Sequence, residues 1–202
     1  MSNSSNKSIM QTIRRKLSCS KIMKNWPKNV NPNIGFYIAG FTDGEGSFNV
    51  SVKKRDDYTD AWKLAASFNI SQKDRIILAK IKDVLGCGTL RERQDGVVYY
   101  EVTNIKSLQD KIIPFFERFG FLSANKKTNF SIFKKIVKIM HNSGHLSKDG
   151  FRNVLQLRET LNEGRGRKRK YQLSDIFKKE SSETTRKTVS NQLNVDDLKT
   201  MI

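Results

Sequence analysis

The sequence predicts an α+β domain: a four-stranded antiparallel sheet with helices packed on one of its faces. Three observations lead there. Four stretches alternate apolar and polar residues with the period of a strand. They fall into two pairs, the second closed by the turn signal "QDG" at 94–96. Between and after the pairs run segments whose apolar residues recur at helical spacing. The resulting order is α-ββ-α-ββ-α-α-α, and two hairpins around a helix make one sheet with a helical layer.

Each element has its own signal. "NPN" at 31–33 is a break and a helix start, and the helix runs from Ile34 to Asp43 with Phe36, Tyr37, Ile38 and Phe41 as its bulk. Ser47 to Lys54 turns Phe48, Val50 and Val52 one way and Asn49, Ser51 and Lys53 the other. "RDDYTD" at 55–60 is a loop, and 61–71 alternates again, with Leu64, Ala66, Phe68 and Ile70 on one face. Gln72 to Leu85 carries helical spacing and stops at "GCG", where glycine supplies a left-handed cap. Thr89 to Arg93 and Val97 to Thr103 form the second hairpin. Ile105 to Phe119 reads as a helix that Pro114 divides or kinks. Lys126 to Met140 and Leu146 to Leu161 are further helices, the last capped by Ser147.

Composition bounds the partners. The 202 residues hold 38 Lys and Arg against 20 Asp and Glu, a formal charge of +18, and 12 Phe provide for a core. That excess points to a polyanion, with nucleic acid ahead of an anionic membrane. No run of about 18 apolar residues exists, so no membrane-spanning helix is expected and no membrane partner is assigned. Cys19 and Cys87 make neither a disulfide framework nor a zinc cluster, which suits a reducing compartment. Three parts follow: a basic arm over 1–30, a domain over 31–162, and a basic, polar tail over 163–202. No acid occurs from Met1 to Thr42, a pattern shared by organelle transit peptides and DNA-binding arms, and both readings stay open. "RKRK" at 167–170 reads as a phosphate grip more readily than as a nuclear address. His141 and His145 lack further ligands at zinc spacing.

The polar face of the sheet would carry Asn49, Ser51, Lys53, Lys63, Ser67, Asn69, Arg91, Arg93 and Tyr99. Amide, hydroxyl and cationic side chains of mixed length suit base edges and phosphates in a major groove. A plain solvated face is the alternative; the charge excess favours DNA.

"IAGFTDGEG" at 38–46 places Asp43 and Glu45 at a helix C-terminus, where the helix dipole disfavours carboxylates by about 0.3–1 kcal/mol each. A compensating cation resolves the conflict. Oxygen ligands suit Mg²⁺ or Ca²⁺, and Gly44 and Gly46 let backbone carbonyls approach the same ion. A glycine-rich turn without an ion is the alternative. Gly35 and Ala39, like Gly40 and Gly44, stand four apart on one side of the helix, a ridge that lets two helices approach closely. Two copies packed there would bring two acidic helix ends together, as cleavage of two strands requires.

"FYIAGFTDGEGSFNVSV" resembles the signature of the LAGLIDADG homing endonucleases. So do "SFNISQKD" at 67–74, "KIKDVLGCGTL" at 80–90, "YYEVTNIKSLQDKIIPFFERFG" at 99–120 and the block at 126–162, covering about residues 32–162. The resemblance implies an αββαββα domain whose sheet binds DNA. It implies that Glu45 is the acidic metal ligand and the Gly44 carbonyl a secondary one. Asp43 matches the other motif acid, which would cap and orient the helix end, and is assigned, with Gly35, Ala39 and Gly40, to a dimer interface. Gln72 matches a water-ordering position, Arg75 a basic one, and Lys126 or Lys127 a second basic one. The implied activity is a Mg²⁺-dependent double-strand cut with short 3′ overhangs, Mn²⁺ or Ca²⁺ substituting for binding. A single motif implies a homodimer on a near-palindromic duplex of about 20 bp. An intron in a mitochondrial or chloroplast genome is the implied setting. The alternatives are an RNA maturase that binds its host intron RNA and a DNA-binding protein without catalysis.

Overall fold

The alternating segments form the four strands, and their apolar sides face a helical layer. The computed structural model describes residues 26–54, 62–162, 170–171, 173–174 and 176. In chain order the elements are α1 (Pro32–Glu45), β1 (Gly46–Lys54), β2 (Trp62–Gln72), α2 (Arg75–Leu85), β3 (Thr89–Glu92), β4 (Val98–Val102) and α3 (Ile105–Ser107). A π-helical turn (Leu108–Ile112), α4 (Ile113–Phe119), α5 (Ala124–His141), a 3₁₀ turn (Gly144–Leu146) and α6 (Lys148–Thr160) follow. The sheet order is β1-β2-β4-β3. β2 and β3 both pair antiparallel with β4, with Ile70 opposite Tyr100 and Leu90 opposite the same residue on the other side. Among the described residues no helix is long and apolar enough to cross a membrane.

Two compact units divide the chain: residues 1–51 with 64–163, and residues 52–63 with 164–202. The core of the first is aromatic. Phe48 of β1 lies 5.0–6.0 Å from the rings of Phe68, Phe116, Phe121, Phe130 and Phe133, so β1, β2, α4 and α5 meet on one side chain. Burying each such ring contributes about 1.5–3 kcal/mol. In the second unit Trp62 meets Tyr171 edge-to-face at 4.9 Å, so this residue of the expected tail is packed.

Boundaries moved where local hydrogen bonding decided them. α1 runs on to Glu45 and ends where Gly46 turns extended and its N–H bonds Thr42 O. α2 begins three residues later than Gln72, because the Asp74 carboxylate accepts from Ile76 N (2.8 Å) and Ile77 N (3.4 Å) as an N-cap and leaves Gln72 in the strand. Gly86 ends α2 in the left-handed region at φ 62°. The break expected at Pro114 is a widened π turn just before it, a relaxation that accommodates a proline without an N–H. Ser147 caps α6 as its position predicts, accepting from Gly150 N at 3.1 Å.

Residues just before 31 also pack on the helical layer. Trp26 lies tilted against Phe115 with ring centroids 6.0 Å apart, the Lys111 ammonium stands 4.7 Å from the Trp26 ring centroid, and Arg118 donates to the Pro27 carbonyl. Composition alone hid this, since residues 26–30 share the arm's polarity. The remainder of the arm, the loop at 55–60 and most of the tail lie outside the described residues.

Candidate functional site

α1 runs directly into β1, so the acidic helix end becomes the start of an edge strand. Glu45 is the last helical residue and is exposed. Asp43, two positions back, points elsewhere. Its carboxylate accepts from Leu122 N (3.0 Å), Ser123 N (2.9 Å) and the Ser123 hydroxyl. Ser123 is the N-cap of α5. Asp43 therefore ties the end of α1 to the start of α5 within one chain, which fits an acid that orients the helix end. Burial pushes the Asp43 carboxyl up, but the Ser123 hydroxyl and amide, the Leu122 amide and the Lys126 charge outweigh it and hold the group below its ordinary range.

That tie settles the direction of the first turn of α5. Lys126 lies on its inner side, half-buried, and its ammonium donates to the Gly46 carbonyl, while Lys127 is exposed. Burial lowers the Lys126 pKa; the charges of Asp43 and Glu45 offset part of that fall. Of the two lysines, only Lys126 shares a corner with the acidic helix end. Ser123 was missed in the sequence, although a serine one residue before a helical stretch is an N-cap signal.

Gln72 ends β2, which neighbours β1 through a short connection, so the two strands are antiparallel and the end of β2 lies toward the start of β1. Its side-chain carbonyl accepts from Lys73 N at 2.8 Å. Arg75 turns to Glu92 on β3, at 3.4 Å with both groups exposed. An exposed pair of this kind contributes about 0–1 kcal/mol, which leaves the guanidinium free to exchange partners.

The polar face of the sheet is continuous in the first unit. Asn69, Glu101 and Thr89 stand abreast across β2, β4 and β3, and Ser71, Tyr99 and Arg91 form the next row. Arg93, just beyond β3, donates to the Tyr99 hydroxyl at 2.9 Å and holds Asp95 at 3.1 Å, so it lies on this face too. Asn49 and Ser67 are half-buried and Ser51 is exposed. Lys53 and Lys63 are exposed and belong to the second unit.

α1 has two unlike sides. Gly35 and Ala39 are turned inward: a Cβ on Gly35 would stand 2.2 Å from the Phe119 ring, and Ala39 is 3% exposed. Their small size serves packing within the subunit, so their assignment to a seam between copies is replaced by this role. The outer side carries Gly40 and Gly44, where an added Cβ meets nothing within 4 Å. Ile34, Phe36 and Tyr37 flank them with 46%, 59% and 53% of their surfaces exposed. Tyr37 stacks on Phe41 at 6.1 Å.

Comparison with known proteins fits this geometry. The family model for "LAGLIDADG endonuclease" matches residues 38–137. The chain is 32% identical over 116 residues to the DNA endonuclease I-CvuI of Chlorella vulgaris, covering 54% of this chain and 70% of that protein. The chain belongs to the LAGLIDADG endonuclease family. A solved structure, the archaeal intron-encoded homing endonuclease I-Vdi141I complexed with DNA, superposes with a TM-score of 0.68 at 32% identity, over 75% of this chain and 96% of that one. The probable intron-encoded endonuclease 2 of Neurospora crassa is 35% identical over 139 residues, 67% of this chain. The LAGLIDADG chain described here spans 30% of the length of that relative.

Proposed function

We propose that this chain is a site-specific homing endonuclease that cuts double-stranded DNA by metal-dependent phosphodiester hydrolysis. In this reading it is encoded by an organelle intron and acts as a homodimer on a near-palindromic site. The observation that carries the reading is the corner where the exposed Glu45 carboxylate, the Gly46 carbonyl and the half-buried Lys126 ammonium meet at the start of the polar sheet face.

The donors at this corner suit a hard divalent cation: a carboxylate and the last carbonyls of α1, which the helix leaves without intrahelical partners. Mg²⁺ is held by one or two carboxylates with phosphate oxygens, as this corner could supply. Glu45 and the Gly44 carbonyl would hold the ion. When bound, the ion polarises the scissile phosphate and lowers the pKa of water next to it. Lys126 keeps a positive charge where negative charge grows on phosphorus. Gln72, at the end of β2, orders water at the same end of the sheet. Asn49, Ser51, Ser67, Asn69, Arg91, Arg93 and Tyr99 read and grip the duplex. The outer side of α1, with Gly40 and Gly44 between apolar neighbours, seats the second copy and brings the two Glu45 residues together.

The test is incubation of the protein with a plasmid carrying the intron-insertion junction, with and without Mg²⁺. A linear product that needs Mg²⁺ and disappears in Glu45→Gln is expected, with duplex binding retained. Binding without cutting in the unaltered protein would leave a DNA-binding module and overturn the enzyme reading.

A further inference from the structure

β1 is an outermost strand, so one of its edges has no neighbouring strand. Such an edge exposes the carbonyls of alternate residues and templates unwanted pairing. Here three alternate carbonyls, those of Gly46, Phe48 and Val50, are each occupied by a side chain. Lys126 Nζ donates to Gly46 O, Asn162 Nδ2 to Phe48 O at 2.7 Å, and Arg158 Nε to Val50 O at 3.0 Å. Carbonyls two residues apart project to the same side of a strand, so the three donors line one edge and stand in for a fifth strand.

The donors come from both helices of the C-terminal pair. Lys126 is in the first turn of α5, Arg158 in the last turn of α6, and Asn162 just past it in the left-handed region at φ 57°. A further side chain joins the two helices. Asn129 of α5 accepts from Asn162 N at 2.9 Å and donates to Asn125 Oδ1 at 3.1 Å. Asn129 is 7% and Arg158 5% exposed. Buried polar groups of this kind cost stability unless they are bonded. Their bonds here are spent on where β1 lies.

We infer that Asn162 and Arg158 are positioning residues: they lock the free edge of β1 to the α5–α6 pair, so that the Gly46 carbonyl holds the Lys126 ammonium beside Glu45. The catalytic half of this inference rests on the endonuclease reading above; the edge lock itself does not. Its consequence is separable. Displacing β1 from α5 moves the cation relative to the phosphate without removing any group that touches DNA.

Asn162→Gly is the decisive variant. Glycine accepts a positive φ without strain, so only the bond to Phe48 O and the side chain are lost. Asn162→Asp keeps the shape but sets a carboxylate against that carbonyl, and is the harsher change. The full-length protein is assayed with a duplex carrying the intron-insertion junction, in single turnover with Mg²⁺, well below its Tm. Asn162→Gly is expected to slow cleavage roughly 10-fold, as small misplacements of a catalytic group do, with duplex Kd unchanged. Amide exchange within residues 46–51 should quicken in the same variant, and more so in Asn162→Asp. Wild-type exchange in this stretch overturns the edge lock. Quickened exchange with wild-type cleavage, or with rate and affinity falling together, overturns the positioning role. If the unaltered protein does not cut DNA, the endonuclease reading fails on its own, and exchange in β1 still decides the lock.

Discussion

Replacing Asp43 separates a structural acid from the proposed metal ligand, Glu45, in a motif that holds both. In Asp43→Ala the α5 N-terminus loses three hydrogen bonds to a carboxylate, from Leu122 N, Ser123 N and the Ser123 hydroxyl. Bonds to charged groups contribute about 1.5–3 kcal/mol each when buried, and much less where water replaces them. Asp43 is only partly buried, so the better guide is a lost helix cap, about 0.5–2 kcal/mol, plus a lost favourable charge at a helix N-terminus, about 0.3–1 kcal/mol. The sum is about 2 kcal/mol, or roughly 4–8 °C in Tm for a domain of this size. Asp43→Asn keeps an acceptor for the amides and should cost about half of that, roughly 1 kcal/mol. The pH dependence gives the signature. The folded-state pKa of Asp43 is held below 3.8, so its contribution is present above that value and fades as pH falls through the lower one. Urea unfolding at neutral and acidic pH measures the gap between wild type and Asp43→Asn, which should close in acid. A Ser123→Ala cycle should show coupling with Asp43. A gap of the same size at both pH values, or Asp43→Ala as stable as wild type, would refute the capping role.

Other consequences can be tested beside it. Lys126→Met should slow cleavage by about 10²-fold or more while Lys127→Met stays near wild type, since only the first cation shares the corner with Glu45. Burial lowers the Lys126 pKa below 10.5, so the ammonium is lost as pH rises and the alkaline limb of the rate profile should fall below that value; Lys126→Arg should move it upward. Gly40→Glu should leave the subunit folded, with a helix propensity gain of up to about 1 kcal/mol, yet shift sedimentation toward the monomer. Gly35→Ala should instead destabilise the subunit by about 1–3 kcal/mol, through the clash with Phe119. Arg91→Ala with Arg93→Ala should weaken duplex binding and flatten its salt dependence by up to about two phosphate contacts; an unchanged slope would remove that corner of the sheet from the interface.

Much of the architecture was legible in the residue pattern because it is local. Alternation through Phe48, Val50, Phe68 and Ile70 can be satisfied only by strands buried on one face, and Gly86 marks its helix end through backbone sterics alone. The family motif pointed to Glu45, and the charge excess pointed to nucleic acid. The partners of Asp43 could not be read, because Leu122 and Ser123 lie some 80 positions away. The inward packing of Gly35 and Ala39 was hidden for a related reason. Four-residue spacing says that two small residues share a side of α1, not which side meets Phe119.

The sequence by itself determined which segments are strands and helices, which sheet face is polar, and that two acids crowd the end of α1, since these follow from periodicity, propensity and charge along a few neighbouring residues. The tertiary structure decided which lysine meets that acid, which glycines stay open on α1, and that Lys126, Asn162 and Arg158 close the edge of β1. Those facts depend on how helices far apart in the chain settle against one strand, and hydrogen bonds made across such distances leave no period in the sequence to read.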